Sequence, residues 1–316
     1  MYRSIQIYYG YRGSKENIAS GAKLKCSIYT ANECFQFFRG FIPIIGLVHD
    51  VHDVHELKGD LCMIICITNQ KGGIGKTTTA MALADRFQKD GKRTLIIDAD
   101  PQGNASDTYG AAIEGEATLY DILMDRDFKD PLEAVQHTAL GDIIASDPLL
   151  RKTDEVLSGE IDSMFRLTDA IGKLKEIYDV VIIDTAPAIN MLLYNCLVAA
   201  DRLIIPVSAD RYSIVGLSQL YAAVSAIRKR ANPSLVISGL LLTQYNDRTN
   251  LSRSAREALI KDAEAIGSRV FYSTIRSCVK CREAQAQKKH LSDHAPACST
   301  SKDYDDFYHE FIKEDK

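Results

Sequence analysis

The residues with the clearest chemical purpose are Lys71-Gly72-Gly73-Ile74-Gly75-Lys76-Thr77-Thr78. Closely spaced glycines let a backbone turn so tightly that successive N–H groups point inward, which makes a cradle for phosphate oxygens. A helix opening at the same point adds positive potential. In such a cradle Lys76 meets the β- and γ-phosphates of a nucleoside triphosphate, and the Thr77 hydroxyl is the kind of oxygen ligand Mg²⁺ takes. An incidental glycine turn does not account for the run, because an apolar strand leads into it and a helical pattern leads out.

Two further segments carry carboxylates at the ends of apolar runs. Asp98-Ala99-Asp100-Pro101-Gln102-Gly103-Asn104 follows one strand, and Val180-Val181-Ile182-Ile183-Asp184-Thr185-Ala186-Pro187 contains another. A carboxylate beside a γ-phosphate makes sense in its own right, since phosphoryl transfer is mostly positioning and charge stabilisation. A strand-terminal aspartate such as Asp184 can instead be only a helix cap.

The elements that must position these residues alternate. Strands are expected at Met63–Thr68, Thr94–Asp98, Asp142–Ala145, Val180–Asp184, Arg202–Val207, Leu235–Thr243 and near Val270. Between them, helices are expected at Thr77–Lys89, Met164–Ile177, Asn190–Ala199, Ile214–Arg230 and Asn250–Ile266. Near-continuous Val, Ile and Leu in the strands implies a sheet covered on both faces. The expected fold is α/β: a doubly wound, mostly parallel sheet forming one domain over residues 63–316.

Composition narrows the function classes. The chain has 316 residues, 46% of them hydrophobic, enough to bury a full core. With 38 Lys plus Arg against 42 Asp plus Glu, the net charge of −4 excludes a uniformly basic coat but leaves room for a local basic face. No stretch approaches ~18 uninterrupted apolar residues, and the start lacks the order of a secretory signal, so a cytoplasmic protein is expected. Eight cysteines without dense regular spacing fit reduced thiols. Cys278-Val279-Lys280-Cys281 has zinc-knuckle spacing with His290, His294 and Cys298 downstream, but the second half of a ligand set lacks paired spacing, so small buried thiols are the expectation. Residues 1–62 show no periodic face, and two readings stand: an accessory extension, or sequence upstream of a true start at Met63. Lys58-Gly59-Asp60 permits a codon run resembling a ribosome-binding site.

Lys71 at the head of the phosphate loop, together with the two carboxylate segments, resembles the ParA/MinD family of deviant Walker-A ATPases, nearest the small Soj-like partition proteins. The resemblance spans about residues 63–316. It implies ATP and Mg²⁺ as ligands, with Gly72, Gly73, Ile74, Gly75, Lys76, Thr77 and Thr78 around the nucleotide. It further implies that Lys71 reaches across an ATP-dependent homodimer to the partner's nucleotide, that Lys76 acts on the phosphates, that Asp100 orients the attacking water, that Asp184 holds Mg²⁺ through water and that Asp98 supports the magnesium shell or the loop. Thr243–Ser252 resembles the segment near adenine, where Asn246 is the candidate base contact; a plain strand-to-helix loop is the alternative.

From 240 to 290 there are ten basic residues against five acidic ones. Ile275–Ala284 resembles the family's basic strand and loop that contacts DNA without sequence preference, making Arg276, Lys280 and Arg282 the candidate DNA contacts, with a solvated surface as the alternative. The family also implies a ParB-like centromere-binding partner and nucleoid association. A membrane-attaching MinD-like role would need a basic amphipathic C-terminus, whereas residues 291–316 hold seven acids against three lysines. Phe307, Tyr308, Phe311 and Ile312 are therefore expected to pack on the domain. An iron–sulfur carrier using Cys278 and Cys281, and a biosynthetic ATP-using enzyme, are the remaining alternatives.

Overall fold

The computed structural model describes residues 62–314 apart from 126, 129, 158, 161, 209–212 and 247–249. The expectations for residues 1–61 lie outside these. Cys62, assigned above to the extension, is buried in the core of the domain.

In chain order the elements are β1 (Met63–Ile67), α1 (Lys76–Lys89), β2 (Thr94–Ala99), α2 (Asn104–Tyr109), α3 (Leu119–Met124), β3 (Val135–Thr138), β4 (Gly141–Ile144), α4 (Thr153–Leu157), α5 (Arg166–Leu174), β5 (Val180–Thr185), α6 (Met191–Ala199) and β6 (Arg202–Ser208). Then follow α7 (Ser213–Arg230), β7 (Val236–Thr243), α8 (Asn250–Ala265), β8 (Val270–Ile275), α9 (Val279–Ala286), α10 (Leu291–His294) and α11 (Ser299–Glu314). The eight strands form one sheet in the order β3-β4-β2-β5-β1-β6-β7-β8. All neighbours are parallel except β3 and β4, which form an antiparallel edge pair.

Every residue of β2 and β5 is buried, as their unbroken apolar runs require of strands covered on both faces. One core layer packs Ile64, Cys66, Leu95, Val181 and Ile183 against α5, α6 and α7; the other packs Ile65, Ile67, Ile96 and Ile182 against α1 and α11. The chain winds from β1 to one side through β2 and β5, then to the other through β6, so the crevice of a doubly wound sheet opens at the carboxyl end of β1. Register places the chemistry there: Ile67 pairs with Asp184, and Asp184 with Asp98.

The structure adds to the expected elements. The helix expected at Met164–Ile177 is divided into a 3₁₀ turn at Ser163–Phe165 and α5, with Asn195 fastening the junction through Leu167 N–H (3.2 Å) and the Ser163 carbonyl (2.9 Å). The short β3 escaped periodicity because Gln136, His137 and Thr138 are polar, as suits a strand at a sheet edge. Helix α3 is announced by a capping box, Thr118 with Asp121 three residues on, that the sequence reading passed over. Beyond β8 the expected strand and loop become a loop and the helix α9.

Candidate functional site

The phosphate loop joins β1 to α1. Gly73 and Gly75 take φ of 70° and 92°, left-handed values that a side chain would strain, and Gly75 stands at the N-cap of α1. No side chain caps this helix, so its first N–H groups remain turned to the loop's concavity. Neighbouring strand ends fix the loop from outside. Thr243 Oγ1 donates to the Ile74 carbonyl at 2.7 Å, Gln244 Nε2 to the Gly73 carbonyl at 2.6 Å, and Asn69 Nδ2 to the Pro206 carbonyl at 2.7 Å. A loop held this way before ligand arrives has little reorganisation left to undergo.

Lys76 is buried, and its ammonium donates to the Lys71 carbonyl at 3.2 Å across the loop. Burial pushes its pKa down, against the pull of Asp184 and Asp100. Lys71 behaves differently: its Nζ donates to Ser208 Oγ, at the end of β6, at 2.9 Å. The two ammonium groups thus have different partners, one in the loop and one at the end of β6.

Asp184 is fully buried at the end of β5, and neither carboxylate oxygen completes a hydrogen bond. Burial raises its pKa well above the ordinary carboxylate range, and Asp98 adds to the rise, while Thr77 and Lys76 temper it. A buried carboxylate of this kind is costly unless a cation answers it. The donor chemistry therefore fits a divalent cation between Thr77 and Asp184.

Asp98 is committed to its own loop. Its Oδ2 accepts Ser106 N–H (2.8 Å) and Ser106 Oγ–H (2.7 Å), and its Oδ1 accepts Asp100 N–H (3.1 Å). Burial still pushes it up to about 6. Of the two readings of Asp98, loop support has these contacts behind it. Asp100 in turn accepts Gln102 N–H on Oδ1 at 2.9 Å, and its carbonyl accepts Ser146 Oγ–H at 2.6 Å, so its carboxylate is set at the cleft wall by a tight turn.

The cleft has a volume of about 640 Å³ and brings together Lys76, Thr77, Asp100, Gln244, Arg276 and Arg282. That is room for a nucleotide. Arg276 and Arg282, expected at a DNA surface, line this same cleft, and Arg276 grips Asp303 through Nε and Nη2, the latter at 2.6 Å. Lys280 is paired with Glu283 at 2.7 Å. Asn246 is exposed and does not belong to this lining, whereas Gln244, two residues earlier and with φ of 52°, does. Residues 247–249 of the expected adenine segment lie outside the described residues.

Sequence reasoning missed Ser106, Ser146, Ser208 and Gln244. Ser208 and Gln244 had a signal, since Ser208 ends β6, the neighbour of β1, and Gln244 lies just past the end of β7, the next parallel strand. Ser106 and Ser146 had none, being joined only by the fold. The cysteines divide: Cys62, Cys66 and Cys196 are buried thiols as expected, while Cys278, Cys281 and Cys298 are half-buried. Among the described residues no three His, Cys, Asp or Glu side chains are grouped to hold a metal ion, and no helix is long and apolar enough to cross a membrane.

A mostly parallel sheet whose first strand runs through a glycine loop into a helix, with carboxylates at the ends of the adjacent strands β5 and β2, defines a P-loop nucleoside-triphosphatase fold. Residues 62–237 match the AAA domain family. Over 238 residues the chain is 38% identical to the sporulation initiation inhibitor protein Soj of Bacillus subtilis, covering 74% of this chain and 91% of Soj. Among solved structures, apo McdA from Cyanothece shares 26% identity at a TM-score of 0.71, over 79% of this chain and 99% of McdA. Cobyrinic acid a,c-diamide synthase from Mycobacterium smegmatis, solved with ADP and magnesium, shares 25% at 0.69, over 80% and 95%. The chain belongs to the ParA/MinD family of P-loop ATPases, among its Soj-like members.

Proposed function

We propose that this chain is a partition-type switch ATPase: it binds ATP with Mg²⁺, closes into a homodimer, binds DNA without sequence preference in that state, and lets go after hydrolysis. Bound Mg²⁺ would supply charge neutralisation at the β- and γ-phosphates. The chain's own groups do the rest. The loop N–H groups and Lys76 hold the phosphates, Thr77 and Asp184 face the cation, and Asp100 orients a water for attack. Asp98 keeps the Asp100 turn in shape. A ParB-like DNA-binding partner would accelerate turnover, and the protein would act in the cytoplasm on the nucleoid. Residues 1–61 would be dispensable for this cycle.

The observation that carries this reading is the separation of the two lysines. Lys76 answers the chain's own phosphates, while the Lys71 ammonium is held apart from it by Ser208 at the end of β6. Two triphosphates facing one another at low dielectric repel, and a second cation at that seam is what they need. The closing experiment is light-scattering mass with ATP and Mg²⁺: wild type doubles in mass and Lys71→Ala stays monomeric while still binding ATP. An undiminished ATP-dependent dimer of Lys71→Ala with normal turnover overturns the switch.

The membrane-attached reading finds no support in the C-terminal helix. Phe307, Tyr308 and Phe311 are 0%, 3% and 2% exposed, so their apolar face is spent on the domain rather than offered to lipid.

A further inference from the structure

Helix α9 carries a basic run that reads in the sequence as one DNA-facing block, and the fold divides it. Cys278, Cys281, Arg282, Gln285 and Ala286 line the phosphate cleft at the spacing of one helical face, whereas Val279, Lys280 and Glu283 do not. Two positions apart means about 200° around a helix, so Lys280 and Arg282 leave α9 on opposite sides. Their partners differ as well. Lys280 is paired with Glu283 at 2.7 Å, and Arg276, on the same cleft wall, with Asp303 at 2.6 Å. Arg282 is exposed within the cleft and, among the described residues, makes no hydrogen bond or ion pair. Its helix face is nevertheless fixed against the phosphate loop: Gln285, one turn on, donates from Nε2 to Thr78 Oγ1 at 3.4 Å.

We propose that Arg282 is a nucleotide-binding residue that reaches from α9 to the α-phosphate, the group next to the ribose that ADP and ATP share. This rests on the reading of the cleft as a nucleotide site. Lys76 answers the β- and γ-phosphates, and Thr77 and Asp184 face the cation at that same end. The α-phosphate is left with backbone N–H groups and no side-chain cation from the loop. A guanidinium fork matches the two free oxygens of such a phosphate, which an ammonium group cannot engage side by side. Arg282 also gives up no ion pair to make the contact, whereas Arg276 would have to leave Asp303. Because Gln285 holds Thr78, the residue after the magnesium threonine, the face of α9 that carries Arg282 stays beside the start of α1. Hydrolysis leaves the α-phosphate in place, so Arg282 holds ADP as well as ATP.

The test is titration calorimetry of the full chain and of Arg282→Gln with Mg²⁺ and three probes: ADP, a non-hydrolysable ATP analogue and inosine diphosphate. Arg282→Gln should lose affinity for all three by the same factor, about 10-fold or more, and Arg282→Lys should recover part of it. Without nucleotide, Arg282→Gln should melt at the wild-type temperature, since it removes no contact within the protein; a markedly lower melting point overturns the picture of an unengaged arginine. A loss confined to the ATP analogue moves Arg282 to the γ-phosphate and overturns the proposal. A loss with ADP but none with inosine diphosphate moves it to the base and does the same. Unchanged affinity for every probe, with weakened DNA binding, makes Arg282 a DNA contact instead. Wild type that binds no nucleotide overturns the switch reading itself, so that failure is distinct from the failure of the arginine alone.

Discussion

Replacing Asp184 by Asn should make the metal-free protein more stable while abolishing its response to Mg²⁺ and ATP. The carboxylate is 0% exposed, both its oxygens lack hydrogen-bond partners, and Asp98 pairs with it in the sheet register. An unsatisfied buried polar group costs about 1–3 kcal/mol, and more when charged; an amide of the same shape carries less of that penalty. Taking about 2 kcal/mol as the relief, a domain of this size should gain roughly 4–8 °C in Tm in EDTA. With Mg²⁺ and ATP the order reverses: wild type gains about 2.7 kcal/mol at a ligand concentration 100 times Kd, and Asp184→Asn gains little. Differential scanning fluorimetry in EDTA and in Mg²⁺ with ATP gives all four values. An Asp184→Asn protein that melts below wild type in EDTA would refute the argument, because it would mean the carboxylate is satisfied by the protein itself.

Lys76→Ala should lose ATP binding by equilibrium dialysis, since Lys76 is the loop lysine that lines the cleft, whereas Asp100→Ala should bind ATP and accumulate as the dimer with phosphate release slowed on the order of 100-fold or more. Equal phosphate release by Asp100→Ala and wild type removes the water-orienting role. Binding of the ATP-loaded protein to DNA of unrelated sequence should fall steeply with salt in fluorescence anisotropy, and Lys280→Glu should weaken it at unchanged ATP affinity; a salt-independent affinity would exclude phosphate contacts. Asp179 accepts the Arg93 backbone N–H at 2.8 Å and its guanidinium at 2.7 Å, which lowers its pKa from 3.8 to about 2. Stability from this group is present above 3.8 and lost as pH falls through about 2, so the urea-midpoint gap between wild type and Asp179→Asn should be full at pH 7 and close in that window. A gap that persists at pH 2 rules the ion pair out as its source.

How far the sequence could be read depended on whether a residue's partner was near it in the chain. The places of the phosphate loop, Asp100 and Asp184 in the fold were legible because strand, glycine turn and helix follow one another, and because a carboxylate closing an apolar run has few places to go in a parallel sheet. The doubly wound fold was legible for the same reason: β2 and β5 are apolar on both faces. Arg276, Lys280 and Arg282 were read by local charge alone. Charge counts do not disclose that Arg276 meets Asp303, 27 residues later, in a cleft wall. Short elements were lost where periodicity had too few residues to register, as with β3 and α2.

The phosphate loop owes much of its fixity to a helix that carries no motif. Tyr304 on α11 is buried, shares a hydrogen bond of 3.0 Å with Thr79 on α1, and lies close enough to Gly75 that a Cβ there would touch its hydroxyl at 3.9 Å. Four residues on, Tyr308 donates to Asp90 at 2.7 Å and packs edge-on against Phe87 at 5.0 Å, so the same face of α11 spans the length of α1. Phe307 completes the stripe by meeting Phe271 of β8 at 4.9 Å. Helix α1 is thus clamped between the sheet and the chain's last helix, and its N-terminus, which must aim its N–H groups at phosphate, inherits that rigidity. The C-terminal aromatics are spaced at three and four residues because they are a splint for the loop more than 200 positions earlier. That is also why their apolar face is not available to a membrane.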